Sequence, residues 1–323
     1  MERYKVCIIN CYFGGNLPNN LNLFLDSCRK NDEYNWLLVT DKKLGSLPNN
    51  VRNINMSLHK FKKIIENKLG FKIALSTPYK CCDYKIAYGL IFQEYLEGYD
   101  YWGYGDFDVI YGDLSKFLSQ KITLDYDKIY PLGHFSILKN NIDMINAFKL
   151  ETVDSYSYKT VFTSEKIFGI DEHGGINEKL IRNGFKVYGG MDFADISLIY
   201  KGMKCVDERT LKIVNNFSFA HEAKNNYKNQ MFYILNGKVF RAYYLNNKIK
   251  CEEFSYIHYR IKIKDNREKN EDSYIISPLY GFVNISQNYS ITKNSINKYN
   301  PKNTKLYEEL QFIKYQIKYR RGK

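Results

Sequence analysis

The amino-acid sequence predicts an α/β fold in which an open sheet is flanked by helices. First, residues 4–13 form an almost uninterrupted apolar run before Gly14-Gly15, which is typical of a central parallel strand followed by a tight loop. Second, apolar strands alternate with amphipathic helices through the segment that follows. Third, an aromatic segment at 99–105 leads into the acid pair of Asp106-Phe107-Asp108. In open α/β sheets, ligands bind at the carboxyl ends of the strands.

The first elements are predicted from periodicity and capping. After the initial strand, apolar residues at helical spacing predict a helix over 19–30. Short apolar runs at 36–40 and 51–56 predict two further strands, and Asp41 follows the first of them. Ser57 is a good N-cap for a helix that reaches about Lys68.

Charged residues then begin the next predicted helix. Residues 79–96 place apolar side chains at helical spacing, with Asp83 and Lys85 in the first turn and Gly98 at the end. An acid in a first turn interacts favourably with the helix dipole, which is sufficient to explain Asp83. The functional interpretation is that Asp83 accepts hydrogen bonds from a nucleoside while Lys85 reaches a phosphate.

The paired acids predict a metal site. Alternate residues of an extended chain point to the same side, so Asp106 and Asp108 are expected to converge at the end of a buried strand. Two carboxylates at such a short distance repel each other, which is costly unless a cation lies between them or one carboxyl group is protonated. An all-oxygen site suits a hard divalent ion, Mn²⁺ or Mg²⁺. The alternative is an ordinary turn, where Asp and Gly are common.

Further polar residues lie on a strand and a loop later in the chain. Residues 133–140 predict a strand that contains His134, which is either a core histidine or part of a site. The loop that carries Asp171, Glu172 and His173 ends at two glycines and precedes an amphipathic helix. Acids there suit the start of a helix, but a triplet held by Gly-Gly is unusual for a cap.

Two more histidines lie in predicted strands. His258 alternates with Arg260 and Lys262, so the three side chains are expected to face one pocket. His221 is the second candidate for a site histidine. Between these strands, Asn236-Gly237 predicts a two-residue hairpin turn.

Composition limits the possible classes of protein. A hydrophobic content of 44% over 323 residues is ample for a packed core. The sequence contains no secretory leader pattern and no apolar run long enough to span a membrane, so we expect a cytoplasmic protein. The seven cysteines are consistent with a cytoplasmic protein, because they are odd in number and lack the spacing of a disulfide framework or a zinc site.

The last fifth of the chain is strongly basic. The net charge is +13, and residues 260–323 contain 14 Lys and Arg against 6 Asp and Glu, which indicates an anionic partner. Residues 304–321 predict a basic amphipathic helix that either docks on the protein or lies on an anionic bilayer. We therefore predict a domain at 1–264 and a basic extension at 265–323.

These motifs together resemble the nucleotide-sugar glycosyltransferases of the GT-A fold. The resemblance rests on Pro78 to Lys85, residues 91–96, and Gly98 to Asp108, and it covers about residues 4–264. The sequence most resembles bacterial capsule and lipopolysaccharide enzymes of the DUF6625 type. It is more distantly similar to Och1-like and LgtC-like enzymes. The implied fold is a Rossmann-like open mixed sheet flanked by helices, here with a basic helical tail.

The resemblance implies a role for each candidate residue. Mn²⁺ or Mg²⁺ would be held by Asp106, Asp108 and His258. The nucleotide-sugar would contact Asp41, Asp83, Lys85, Asp106, Arg260 and Lys262. The acceptor or sugar pocket would include His134, His173 and His221. Asp171 and Glu172 would lie beside the reacting sugar, and Glu172 stands where retaining enzymes of this fold have an amide, which leaves the stereochemistry open.

The leading hypothesis is therefore a metal-dependent glycosyltransferase. It would move a sugar from a nucleotide-sugar, by preference a UDP-sugar with retention, to a glycan or lipid-linked oligosaccharide in bacterial surface polysaccharide synthesis. We expect the protein in the cytoplasm and, if the basic tail binds lipid, on the inner face of the membrane. Alternatives are a nucleic-acid-binding protein, a metal-dependent phosphotransferase or nuclease, and an inactive glycan-binding module. Nucleic acid is not expected as a partner, because the sequence contains no recognition module for it.

Overall fold

The computed structural model describes residues 4–153, 155–172, 174–197, 202–214, 217–222, 226–227, 229–259, 272–300, 309–310 and 313–314; in 208–214 and 217–222 it describes the backbone alone. The chain divides into two compact units. The first comprises Met1–Leu21, Cys28–Phe107 and Ser115–Met191. The second comprises Asn22–Ser27, Asp108–Leu114 and Asp192–Lys323. The boundary between them therefore falls inside the Asp-Phe-Asp motif.

The strands of the described residues are numbered in chain order. They are β1 (Val6–Tyr12), β2 (Asn35–Thr40), β3 (Val51–Asn55), β4 (Tyr101–Gly105), β5 (Val109–Tyr111), β6 (Lys128–Ile129), β7 (Phe135–Lys139), β8 (Val187–Tyr188), β9 (Ala194–Asp195), β10 (Val206–Val214), β11 (Phe217–Glu222), β12 (Gln230–Leu235), β13 (Lys238–Leu245), β14 (Lys248–Phe254), β15 (Tyr256–His258), β16 (Tyr274–Ser277) and β17 (Gly281–Asn284).

The helices are numbered in the same way. The α-helices are α1 (Leu21–Lys30), α2 (Leu58–Leu69), α3 (Tyr88–Ile91), α4 (Leu114–Thr123), α5 (Ile142–Asn146), α6 (Tyr158–Thr163), α7 (Ile176–Arg182) and α8 (Lys293–Tyr299). Three 3-10 helices cover Pro78–Ala87, Gln93–Tyr95 and Ala147–Lys149. Among the described residues, no helix is both long and apolar enough to cross a membrane.

The first unit contains a seven-stranded mixed sheet in the order β3-β2-β1-β4-β7-β6-β8. The strands β3, β2, β1 and β4 pair in parallel, and β7 joins antiparallel to both β4 and β6. Both faces of β1 are buried, since Ile8 and Ile9 are each fully inaccessible. This explains why the strand has a continuous apolar sequence rather than an alternating one. The predicted α/β class with a mixed open sheet is confirmed.

The early helices also agree with the sequence. The helix α2 begins after Ser57, whose hydroxyl accepts a hydrogen bond from the Lys60 backbone N–H. It ends at Gly70, which adopts a left-handed conformation with φ of 77°. Phe61 and Ile65 are buried against the sheet. The predicted amphipathic helix after residue 175 is α7, in which Ile176 and Leu180 are buried and Ile181 is exposed.

The helix predicted over residues 79–96 differs from the structure. The segment is a 3-10 helix over Pro78–Ala87, a single α-helical turn at α3 and a second short 3-10 helix. The prediction that Asp83 lies in a first turn is therefore wrong, because Asp83 lies well inside the 3-10 segment. A 3-10 helix eclipses residues i and i+3, which brings the Lys80 ammonium and the Asp83 carboxylate to 2.7 Å. Residues i and i+3 are neighbours on an α-helix as well, but the sequence does not predict that this ion pair is completely buried.

The strand predicted to carry both acids is also interrupted. The strand β4 ends at Gly105, residues 106–108 form a turn, and β5 begins at Val109 in another sheet. The argument that residues i and i+2 of one extended strand point to the same side therefore does not apply. The backbone N–H of Asp106 donates to the His134 carbonyl, beside β7, at 3.0 Å. That bond holds Asp106 in the first unit, where β4 ends.

The second unit contains an antiparallel sheet and a smaller mixed sheet, in which β15 pairs antiparallel with β5 and parallel with β9. A five-stranded sheet has the order β14-β13-β12-β16-β17, and a three-stranded sheet has the order β5-β15-β9. The predicted hairpin at Asn236-Gly237 joins β12 to β13, and both turn residues have positive φ. The boundary predicted at residue 264 remains a prediction, although β16 lies beyond it and pairs with β12. The predicted helix 304–321 lies outside the described residues except for 309–310 and 313–314, which are helical.

Candidate functional site

Lys85 is the centre of a charged cluster in the first unit. Its ammonium group donates to Asp106 Oδ1 at 2.7 Å and to the Gly133 carbonyl at 3.0 Å, and lies 3.3 Å from Asp171 Oδ2. Burial alone would lower the pKa of Lys85. The charges of Asp106 and Asp171 outweigh burial and raise the pKa well above its usual value. Lys85 is therefore a permanent cation between two carboxylates.

Asp106 is positioned by the ends of neighbouring strands. Its carbonyl accepts a hydrogen bond of 3.4 Å from the Asn10 side chain, and Asn10 lies near the carboxyl end of β1. Its backbone N–H is held by the His134 carbonyl. These contacts place a partly exposed carboxylate where β1 and β4 end, which is the edge of an α/β sheet that binds ligands.

Asp171 is a buried carboxylate on the loop before α7. Burial raises the pKa of Asp171 to about 6, although the nearby Lys85 charge lowers it. Its neighbour Glu172 accepts a hydrogen bond of 3.3 Å from the Gly133 backbone N–H. A Cβ at position 133 would overlap the Asp171 carboxylate, so glycine is required there. Gly133 thus contacts Lys85, Asp171 and Glu172, and the sequence prediction missed it.

Asp83 has a different environment from the one predicted. It is wholly buried, and its carboxylate accepts hydrogen bonds from the backbone N–H groups of Phe168 and Gly169, at 3.0 Å and 2.7 Å. It also pairs with the Lys80 ammonium. These donors argue against direct contact with a nucleoside. The carboxylate instead fixes the start of the loop that leads to Asp171.

A second cluster lies at the three-stranded sheet of the second unit. His258 Nε2 is 3.3 Å from Asp108 Oδ1, and His258 Nδ1 is 2.9 Å from Asp195 Oδ1. Burial lowers the pKa of His258, but the two carboxylates outweigh it and raise the pKa to about 10. The imidazole is therefore held between two negative groups. The sequence predicted His258 as the partner of Asp108, but it did not predict Asp195.

The donor set of this second cluster fits a divalent cation. A carboxylate oxygen of Asp108 and an imidazole nitrogen of His258 lie close enough to share one positive centre. Oxygen and imidazole ligands together are compatible with Mn²⁺. The local excess of carboxylate over imidazole also favours a cation electrostatically.

The remaining predicted residues have the following environments. Asp41 follows β2 and pairs with its neighbour Lys42 at 3.5 Å. The His134 side chain is wholly buried. His173, Arg260 and Lys262 lie outside the described residues, as does the side chain of His221.

Asp195 and Gly133 are the two site residues that the sequence prediction missed. Asp195 stands in a two-residue strand among apolar residues, and a single acid in such a context gives no signal at the sequence level. Gly133 is the first residue of the strand predicted over 133–140, and glycine is common where a turn leads into a strand. Only the tertiary contacts identify their roles.

Comparison with known proteins places the chain in a family and finds distant structural neighbours. Residues 8–300 match the model of DUF6625, a family of unknown function. A crystal structure of the galactosyltransferase LgtC with donor and acceptor sugar analogues is similar with a TM-score of 0.34 and 12% identity, over 59% of this chain and 75% of that one. An active-site mutant of LgtC is similar with a TM-score of 0.34 and 11% identity, over 59% and 74%. No curated protein matches.

Proposed function

The chain belongs to DUF6625, a family of unknown function, and from its own site we propose that it is a metal-dependent glycosyltransferase. The substrate class that we propose is a nucleotide-sugar, by preference a UDP-sugar. The acceptor that we propose is a glycan or a lipid-linked oligosaccharide.

The observation that carries this proposal is the bridge that Lys85 makes between Asp106 and Asp171. The three residues are far apart in sequence. The resemblance implies that Lys85 and Asp106 contact the nucleotide-sugar and that Asp171 lies beside the reacting sugar. Their side chains form one charged network with contacts of 2.7 Å and 3.3 Å. Charged groups with perturbed pKa values are concentrated at functional sites, because burying them is costly for stability. The two acids outnumber the ammonium, so the network has a net negative charge that suits a neighbouring divalent cation.

We propose that Asp106, Asp108 and His258 hold Mn²⁺ or Mg²⁺. The short distance between Asp108 and His258 supports this set. Asp106 is only two residues from Asp108, so chain geometry keeps their Cα atoms within about 7 Å. When bound, the ion would neutralise the charge of the donor diphosphate. Arg260 and Lys262 remain our proposal for further diphosphate contacts.

In the proposed reaction, the bond between the anomeric carbon and the leaving phosphate oxygen breaks. An acceptor hydroxyl oxygen bonds to that carbon, and its proton goes to the leaving diphosphate. We propose retention of configuration, with Asp171 and Glu172 beside the reacting sugar. The resemblance of the motifs supports a role in bacterial surface polysaccharide synthesis, in the cytoplasm or on the inner face of the membrane.

The first test is turnover of donors without an acceptor. Purified protein is incubated with UDP-, GDP- and CMP-sugars in Mn²⁺ or in EDTA, and free nucleotide is measured. We expect Mn²⁺-dependent hydrolysis of one donor and its loss in Asp108→Ala. Asp113→Ala is the matched control, because Asp113 pairs with Lys238 at 3.0 Å and belongs to no proposed site.

Each outcome has a defined meaning. Turnover in EDTA at the rate seen in Mn²⁺ would reject the metal dependence but would still support the proposed glycosyltransferase activity. If wild-type protein neither binds nor hydrolyses any donor, glycosyl transfer is rejected. Binding to glycans or to DNA would then be tested for the other functions that the sequence allows.

A further inference from the structure

Asp195 is a fully buried carboxylate at the end of β9. Its Oδ1 lies 2.9 Å from His258 Nδ1, within hydrogen-bond distance. Neither the sequence motifs nor the proposed donor site accounts for it. Burying a carboxylate is costly, so its contact with the site histidine needs an explanation.

The three-stranded sheet explains how this contact arises. His258 ends β15 and stands opposite Asp195 in the parallel pairing with β9. On the other side, His258 stands opposite Val109 in β5, directly after Asp108. One row across the sheet therefore contains Val109, His258 and Asp195, and Asp108 comes immediately before this row.

The backbone fixes the same row from both sides. The Ile196 backbone N–H donates to the His258 carbonyl at 2.9 Å. The Tyr259 backbone N–H donates to the Asp108 carbonyl at 3.0 Å. Ile196, which follows Asp195, therefore binds the backbone of His258. Tyr259, which follows His258, binds the backbone of Asp108.

The contact with Asp195 also selects the tautomer of His258. In a neutral imidazole one ring nitrogen carries the proton and donates, and the other has a lone pair and accepts. A hydrogen bond that fixes the proton on one nitrogen therefore leaves the lone pair on the other. A carboxylate accepts only, so Nδ1 must carry the proton. In the neutral ring, which is the form that ligates a cation, Nε2 is then the nitrogen with a lone pair, and it lies 3.3 Å from Asp108.

We propose that Asp195 is a positioning residue for the metal site. It orients the His258 ring and keeps the lone pair on Nε2, where a divalent cation shared with Asp108 would bind. This inference rests on the proposed function, because it takes His258 as a ligand. Residues that hold a ligating histidine in this way typically change metal affinity by about 10-fold to 100-fold when they are replaced.

The test is the affinity of the whole protein for Mn²⁺ alone, measured from the electron paramagnetic resonance signal of the free ion. We expect Asp195→Asn to weaken binding at least about tenfold, because an amide can also donate to Nδ1 and favour the wrong tautomer. His258→Ala should remove binding at this site. Asp192→Asn is the matched control: Asp192 lies three residues earlier and its carbonyl accepts from the Ser255 backbone N–H. It should bind Mn²⁺ within about twofold of wild type.

The variants separate this inference from the proposed function. If His258→Ala loses binding and Asp195→Asn does not, Asp195 has no positioning role and the metal site stands. If wild type does not bind Mn²⁺, or if His258→Ala binds as wild type does, the metal site and the role of Asp195 are both rejected.

A second readout needs no folded Asp195 variant. In wild-type protein with ¹⁵N-labelled histidine and bound Zn²⁺, the proton of His258 should be found on Nδ1. The protein has five histidines, and the His258 signal is identified by its loss in His258→Gln. A proton on Nε2 would overturn the inference even if the metal binds. Asp195→Asn that folds but binds normally would overturn it independently.

Discussion

At the scale of single residues, Glu172 distinguishes two ways in which the acceptor hydroxyl could lose its proton in the proposed reaction. Its side chain is partly buried, and Oε1 accepts from the Gly133 backbone N–H at 3.3 Å. If the leaving diphosphate takes the acceptor proton, Glu172 needs only to accept hydrogen bonds. If Glu172 is the base of an inverting reaction, its negative charge is essential.

We predict that Glu172→Gln keeps the rate within about tenfold of wild type, because the amide oxygen can still accept from Gly133. Loss of a general base would instead lower the rate by about 100-fold to 10,000-fold. The measurement is the initial rate of transfer, with the anomeric configuration of the product read by NMR. Glu178→Gln is a control on the same segment, since Glu178 accepts from the Gly175 backbone N–H at 3.0 Å. An inverted product with a lost rate would assign Glu172 as the base.

At the scale of elements, the 3-10 helix Pro78–Ala87 joins two parts of the candidate site. Lys85 on this helix pairs with Asp106 and Asp171, and Asp83 binds the backbone of Phe168 and Gly169. The Lys80 ammonium completes the attachment through Asp83 and the Val161 carbonyl. The helix therefore fixes both ends of the loop that precedes Asp171.

We predict that Asp83→Asn lowers the free energy of unfolding by about 3 kcal/mol, because it leaves the buried Lys80 ammonium without its counter-charge. Denaturant unfolding measures the loss, and hydrogen exchange at Phe168 and Gly169 should become faster. Asp143→Asn, which changes an exposed acid, is the control. Weaker UDP binding at unchanged stability would instead support the nucleoside contact that the sequence suggested.

The elements that the sequence predicted well are those whose start or turn is determined by residues within the element itself. Ser57 caps α2 with its own hydroxyl, and Asn236-Gly237 closes a hairpin with its own backbone. The 3-10 helix and the turn at 106–108 depend on contacts of Lys80 and Asp106 with residues that are distant in the sequence. Hydrophobic periodicity does not reveal such contacts. The motif residues could be predicted because their pattern lies within one segment. Gly133 and Asp195 could not, because only tertiary contacts connect them to the site.

At the scale of the whole molecule, stability depends on a lysine buried in the main sheet. Lys128 in β6 is fully inaccessible, and its ammonium donates to Ser136 Oγ at 3.0 Å and to the Tyr130 carbonyl. Burial lowers the pKa of Lys128 to about 7, although the charges of Asp171 and Glu178 act in the opposite direction. The folded protein therefore releases this proton at a pH where the unfolded chain keeps it.

The sign of the resulting pH effect follows from proton counting. Between about pH 7 and the unfolded pKa near 10.5, the unfolded state binds more protons at Lys128 than the folded state does, so this residue makes stability rise with pH. From pH 7 to pH 9 the contribution is about 2 kcal/mol. Buried cysteines act in the opposite direction near pH 9, because burial raises the pKa of Cys7 and of Cys81 to about 12. Only a comparison with a variant isolates the lysine.

We predict that Lys128→Met, which keeps the size of the side chain and removes the ammonium, gains stability relative to wild type at pH 7 and loses about 2 kcal/mol of that advantage by pH 9. Denaturant unfolding of both proteins at the two pH values gives the difference, and any pH-independent cost to Ser136 cancels in it. Lys186→Met removes an exposed lysine from the adjoining segment and should keep the wild-type pH dependence. Parallel pH dependence in Lys128→Met and wild type would mean that Lys128 stays charged inside the sheet. The charges of Asp171 and Glu178 would then have to offset its burial, and the acids of the candidate site would also stabilise the fold.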